Sequence, residues 1–218
     1  MARQAFEGQV RDLLADLMAM GQLVSHAIDR SVQALREQDV PLAHQVIKED
    51  DLVNAAQHAI DEKCLVLIAT QQPMAHDLRT ILAASNIAAE LERIGDYAEG
   101  TARLALKLAH EPFIKPLIDI PRMAELGRQM LDLALEAFIH QDTETAIQLG
   151  EMDTLVDDLY NQIYRELLVI MVQDPRTITQ ATYLIWVAHN LERIADRTTN
   201  IAERTVFVTS GEIVDLNR

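Results

Sequence analysis

Apolar residues return every three or four positions through most of this chain, the period of a helix with one buried face. Phe6, Val10, Leu13, Leu17, Val24, Ile28 and Leu35 predict a first helix that ends near Asp39-Val40-Pro41. Val46, Ile47, Val53, Ile60, Leu67 and Ile68 predict a second, stopped at Gln71-Gln72-Pro73 because proline disfavours helix in the residue before it. A third runs from about His76 to Leu108, and the stretch from His110 to Pro121, with Pro112 and Pro116 inside it, reads as a linker. Then the pattern starts again. Met123, Leu126, Met130, Leu133 and Phe138 predict a fourth helix, Gln141-Asp142 a break, Thr143 to Val172 a fifth helix and Asp174-Pro175 a turn. A sixth helix closes before Gly211.

The second half repeats the first in its residues as well as its periods. Glu90-Leu91-Glu92-Arg93-Ile94-Gly95-Asp96 returns as Asn190-Leu191-Glu192-Arg193-Ile194-Ala195-Asp196. Glu49-Asp50-Asp51-Leu52-Val53-Asn54 corresponds to Met152-Asp153-Thr154-Leu155-Val156-Asp157, and Gln72-Pro73 to Asp174-Pro175. The fold class that follows is all-α: two tandem, pseudo-symmetric antiparallel three-helix bundles, residues 1–112 and 113–218. Three helices hide little surface alone, so the two bundles are expected to pack on each other.

Composition agrees and narrows the function. An apolar share of 49% can build a core, and 4% aromatic residues with few Gly and Pro favour helices over sheets. The single Cys64 forms no internal disulfide and belongs to no CxxC zinc pair, which points to a reducing compartment, the cytoplasm. The first residues lead into an amphipathic run rather than the apolar core of a targeting peptide. The longest uncharged run, Thr177 to Leu191, is too short and too polar to span a bilayer. A net charge of −15 repels nucleic acid and anionic headgroups, so contact with a membrane is expected only through a protein partner.

The candidate chemistry lies in the acids. Glu92 and Asp96, and again Glu192 and Asp196, sit four apart on one helix face, where like charges cost stability unless something compensates them. If Pro73 marks a hairpin, residues equally distant from it face one another: Asn54 opposes Glu92 and Asp50 opposes Asp96, roughly 30 Å from the turn. About Pro175, Asp153 and Asp157 meet Glu192 and Asp196 within one residue of the same register. Each half thus offers hard oxygen donors suited to divalent or trivalent cations, against the plainer reading of solvated acidic faces. His58 and His189 are spaced to join these sites but are ordinary surface histidines by type. Arg93 and Arg193 read as structural ion-pair partners, Trp186 as a packing anchor, Cys64 as a buried apolar residue, and Met18, Met20, Met123, Met130, Met152 and Met171 as core filling.

Those segments, with Gln72 to Arg79, Asp174 to Ile178 and Asn190 to Glu203, resemble the PhoU family of phosphate-specific transport accessory and regulatory proteins over nearly the whole chain. The resemblance implies metal-binding motifs at Glu92 and Asp96 and at Glu192 and Asp196, with Asp50 and Asn54, and Asp153 and Asp157, on the preceding helices. It adds Asn200, whose counterpart is Gly100; with Asn54 also standing in place of an acid, the first site is expected to have fewer charged ligands. The implied cofactors are iron, zinc, manganese or magnesium ions. The implied role is a cytoplasmic negative regulator of phosphate uptake and of the phosphate starvation response, not an enzyme. The implied partners are the ATPase subunit of a phosphate ABC transporter, a phosphate-sensing histidine kinase and a second copy in a homodimer, with membrane association through those proteins. Two other classes stay open: a carboxylate-bridged di-iron oxidase, which needs Glu-x-x-His pairs that no histidine here completes, and a metal-free acidic helical scaffold.

Overall fold

The computed structural model describes residues 2–216. Six long helices carry the fold: α1 (Ala2–Glu37), α2 (Val40–Gln71), α3 (Ala75–Leu108), α4 (Asp119–His140), α5 (Thr143–Gln173) and α6 (Ile178–Ser210). No strand occurs among the described residues. The predicted helices all form, and their ends differ from expectation mainly at the linker. Pro121 lies inside the first turn of α4 rather than outside it. A first-turn N–H has no acceptor within its own helix, so proline costs little there.

The same local device opens α2 and α5. Gln38 and Gln141 take left-handed backbone angles, φ 54° and 55°, and the following Asp caps the next helix. Asp39 accepts from the Leu42 amide at 2.9 Å, and Asp142 from the Glu144 and Thr145 amides at 3.1 Å. The two hairpin turns differ. After α2 the chain turns through Gln72 (φ 48°) and Ala75 (φ 46°). After α5 it runs through a 3₁₀ turn, Pro175–Thr177, whose longer rise per residue offsets part of a run from Pro175 to Leu191 that is two residues shorter than that from Pro73 to Leu91.

The linker is tied down along its first half. Gln38 Nε2 donates to the carbonyls of Leu108 and Glu111, and buried Gln180 joins the Ile114 amide (2.6 Å) to the Pro112 carbonyl (3.1 Å).

In the assembled molecule α3 and α6 are central, each packing on both helices of its own repeat and on the other; α1 also packs on α4. α2 and α5 touch only their own repeats and leave their outer faces open. α3 and α6 run antiparallel: Arg79 reaches the Val208 carbonyl, Glu90 meets Asn200, and Thr101 meets Asn190. The α1–α4 pair is antiparallel too, with Ser25 on Asp132 and Asp29 on Arg128. Gly21 is required there, since a Cβ would fall 2.3 Å from Leu135 Cδ1. Two repeats related by an approximate two-fold axis thus share one continuous core.

Cys64 is buried as expected. Trp186 corrects the expectation: it is 49% exposed, with Tyr183 beside it at a ring separation of 5.7 Å. Tyr183 in turn lies under Lys107 of α3, at the rim of the α3–α6 seam, so helical period alone did not reveal how far position 186 would be covered.

Candidate metal centres on two duplicated acidic faces

Each repeat places its acids between its second and third helices. In the first, Asp50 and Asn54 on α2 stand against Glu92 and Asp96 on α3. Gly95 permits the approach, because a Cβ there would lie 3.1 Å from Val53 Cγ1 and 3.4 Å from Asp50 Oδ1. Asn54 Nδ2 donates to Asp50 at 3.0 Å. Burial, then Asp96 and Glu99, push the Asp50 carboxyl above its ordinary range. Glu92 is raised by burial, Asp96 and Asp50, with Arg93 and His58 opposing, and Asp96 by burial and Glu99. These mutual effects follow the hairpin register: Asp50 senses Asp96, and His58 lies near enough to Glu92 to act on it.

Glu99 was missed in the sequence. It lies one turn beyond Asp96 on the same face, and it lines a cavity of about 220 Å³ with Asp50, Glu49, His26 and Arg30. The duplicated motif concealed it, because the matching residue in α6 is Thr199. Glu99 restores a fourth carboxylate to a cluster in which Asn54 replaces an acid, so the first cluster is not the poorer in charge. It is also flanked by cations: Arg103 pairs with Glu99 at 2.5 Å, and Arg30 with Glu49.

In the second repeat, Asp153 and Asp157 on α5 stand against Glu192 and Asp196 on α6. Burial first, then Asp157, Asp196 and Glu192, push the Asp153 carboxyl up to about 6. Burial and Asp196 raise Asp157; burial raises Glu192, opposed by Arg193 and reinforced by Asp157 and Asp196. Glu192 Oε2 is buried without a hydrogen-bond partner. Such an oxygen carries an uncompensated desolvation penalty that a cation would remove. Exposed His189 packs its ring edge-on to Tyr160 at 6.3 Å.

The donor chemistry in both clusters therefore suits a hard cation, and the bare Glu192 oxygen is the feature that fits one. Among the described residues, however, no three acidic, histidine or cysteine side chains already converge to hold a metal ion. The backbones bring the carboxylates to one level, and their mutual repulsion favours rotamers that hold them apart.

Asn200, expected in the second site, donates through Nδ2 to Glu90 of α3 at 3.1 Å. Its counterpart Gly100 faces Asn190, whose Nδ2 would lie 3.1 Å from a Cβ there. The exchange of Asn for Gly is thus tied to packing between the repeats. Arg93 pairs with Glu90 at 2.8 Å, while Arg193 pairs with Asp196 at 2.5 Å and lies beside Tyr97 of α3.

The PhoU domain family model matches residues 17–105 and 120–205, one match in each repeat. The phosphate-specific transport system accessory protein PhoU homolog of Aquifex aeolicus is 41% identical over 206 residues, covering 94% of this chain and 93% of its own length. The crystal structure of PhoU from Pseudomonas aeruginosa is similar with a TM-score of 0.91 at 36% identity, covering 95% of this chain and 100% of that one. The phosphate transport system regulatory protein PhoU from Streptococcus pneumoniae gives 0.89 at 30% identity, covering 96% and 99%. Matched repeat by repeat and over nearly its whole length, the chain belongs to the PhoU family.

Proposed function

We propose that this protein is a regulatory accessory component of a phosphate-specific transport system, acting as an adaptor rather than an enzyme. Kinship over nearly the full chain with proteins named for that role supports the reading. So does a sequence with no Gly-rich phosphate loop and no HExxH pair. It acts as a negative regulator in the cytoplasm, linking the transporter's ATPase subunit to a phosphate-sensing histidine kinase, and it works as a homodimer. No helix among the described residues is long and apolar enough to cross a membrane, and a net charge of −15 disfavours anionic lipid, so recruitment runs through those proteins.

The two acidic clusters hold divalent or trivalent cations, among which iron, zinc, manganese and magnesium suit the oxygen donors. Asp50, Asn54, Glu92 and Asp96 would hold the first, and Asp153, Asp157, Glu192 and Asp196 the second, with Asn200 at its edge. The buried, unpartnered Glu192 oxygen is the observation that carries this assignment. With a cation there, these carboxylates would lose their mutual repulsion, which would favour closer approach of α2 to α3 and of α5 to α6.

The role is tested by deleting the gene and following a phosphate-starvation reporter under ample phosphate. High expression, restored to low by the wild-type chain, is the expected result; normal repression in the deletion strain refutes it. Catalytic oxidation of ferrous iron, or hydrolysis of phosphate esters by the purified chain, would refute the adaptor reading.

A further inference from the structure

Arg93 and Arg193 occupy the same place in the duplicated motif yet take opposite partners. Arg93 turns back to Glu90, and Arg193 turns forward to Asp196. The seam between the repeats explains the difference. Because α3 and α6 are antiparallel about an approximate two-fold, residue 193 comes to residue 97 as residue 93 comes to residue 197. One pairing is Arg193 with Tyr97, a cation and a hydroxyl acceptor. The other would be Arg93 with Arg197, two cations. Glu90 resolves that clash by giving Oε1 to Arg93 and Oε2 to both Arg197 (3.4 Å) and Asn200 (3.1 Å). Position 190 carries Asn, which accepts no such charge pair, so Arg193 is left to the acids of its own cluster.

We propose that Arg193 is a built-in counter-cation of the second acidic cluster: its guanidinium holds an Asp196 oxygen that a metal ion must take, so metal loading releases Arg193 toward Tyr97 of the other repeat. Arg93, held by Glu90, imposes no such competition on Asp96. This rests on the reading that the acidic clusters bind cations. In the bare protein the Arg193 pair relieves part of the repulsion among Asp153, Asp157, Glu192 and Asp196. When a cation supplies that charge, the guanidinium becomes a repulsive neighbour, and its remaining anchor is the Tyr97 hydroxyl. Occupancy of one repeat is thereby transmitted to the seam with the other.

The test is a calorimetric titration of the full chain with Mn²⁺, in a background where Asp50→Asn and Asp96→Asn silence the first cluster. Helix content of every variant is checked by circular dichroism. Arg193→Met is expected to tighten Mn²⁺ binding about fivefold, the size of one partly exposed ion pair. Tyr97→Phe, a change in the other repeat, is expected to weaken it, since Arg193 then loses its alternative anchor and stays on Asp196. Arg93→Met, tested with the second cluster silenced instead, leaves first-cluster binding within about twofold. Unchanged or weaker binding in Arg193→Met overturns the counter-cation role while leaving the cation reading intact. No Mn²⁺ binding in the wild-type chain overturns both.

Discussion

The two acidic faces descend from one motif and differ in what surrounds it. Around Asp50 the neighbours are charged: Arg30 pairs with Glu49 and Arg103 with Glu99 beside the cavity of about 220 Å³. Around Asp153 the positions matching Arg30 and Glu49 are Leu133 and Met152, and the Asp153 carboxyl is pushed higher than its counterpart's surroundings would push it. The first face is a balanced array of charges open to water; the second is a tighter, more desolvated set of four acids relieved by Arg193. A duplicated site therefore keeps most of its oxygen-bearing side chains while burial and counter-charge diverge, and those two properties set how strongly the charge of each carboxylate is disfavoured.

Removing donors gives the largest expected difference. Glu192→Ala with Asp196→Ala should abolish cation binding in the second repeat, by more than about a hundredfold, since even outer-shell changes cost ~10–100-fold. The first repeat should retain its cation and the helices should persist, because losing an i, i+4 repulsion favours the bare helix. Elemental analysis beside circular dichroism checks this, and unchanged stoichiometry would reject the assignment.

The seam comes next. Glu90 is 14% exposed and separates Arg93 from Arg197. Glu90→Ala should destabilise the chain by ~2–3 kcal/mol, because it leaves two guanidinium groups facing each other without their acceptor. The matching change Asn190→Ala, whose amide makes only a 3.4 Å contact with Thr101, should cost under ~1 kcal/mol. Urea denaturation of both variants measures the contrast.

A smaller effect separates the clusters by pH. Asp153 has a folded pKa above the ordinary carboxylate value, so its ionised form opposes folding. That penalty is complete above about 6 and fades as the pH falls toward 3.8. Chelator-treated protein should therefore gain ~1 kcal/mol of stability relative to the Asp153→Asn variant between about pH 7 and about pH 5, after allowance for partial exposure. At neutral pH Asp153→Asn should itself be the more stable, which thermal melts will show.

The smallest change is to give the first face the apolar pair of the second. Arg30→Leu with Glu49→Met should alter stability by under ~1 kcal/mol, since both side chains are partly exposed. If the polar lining of the cavity tunes the first cluster, Mn²⁺ affinity there will shift although stability does not.

Much of this molecule was legible from residue order alone. The 3.6-residue period, the Asp caps at 39 and 142 and the prolines at 73 and 175 specify six helices and their hairpins, because these signals act within a few residues of the chain. The duplication supplied the register that sets Asp50 against Asp96 and Asp153 against Asp196, since equal arms about a turn meet whatever the rest of the fold does. Glu99 was equally within reach, one turn past Asp96, but comparison of the halves drew attention only to what both share.

What the tertiary structure decided depends on contacts between residues distant in sequence. Pairing α3 antiparallel with α6 puts Tyr97 beside Arg193 and Arg197 near Arg93, and so sends two arginines of one motif to different acids. The same pairing turns Asn200 toward Glu90 and empties position 100. It also leaves Trp186 half exposed at the rim of that seam, beside Tyr183. Helical period records which face of a segment is apolar, but a charged side chain on the flank of that face settles on whichever partner the neighbouring helix presents. That choice is an electrostatic property of the assembled seam, and only the fold contains it.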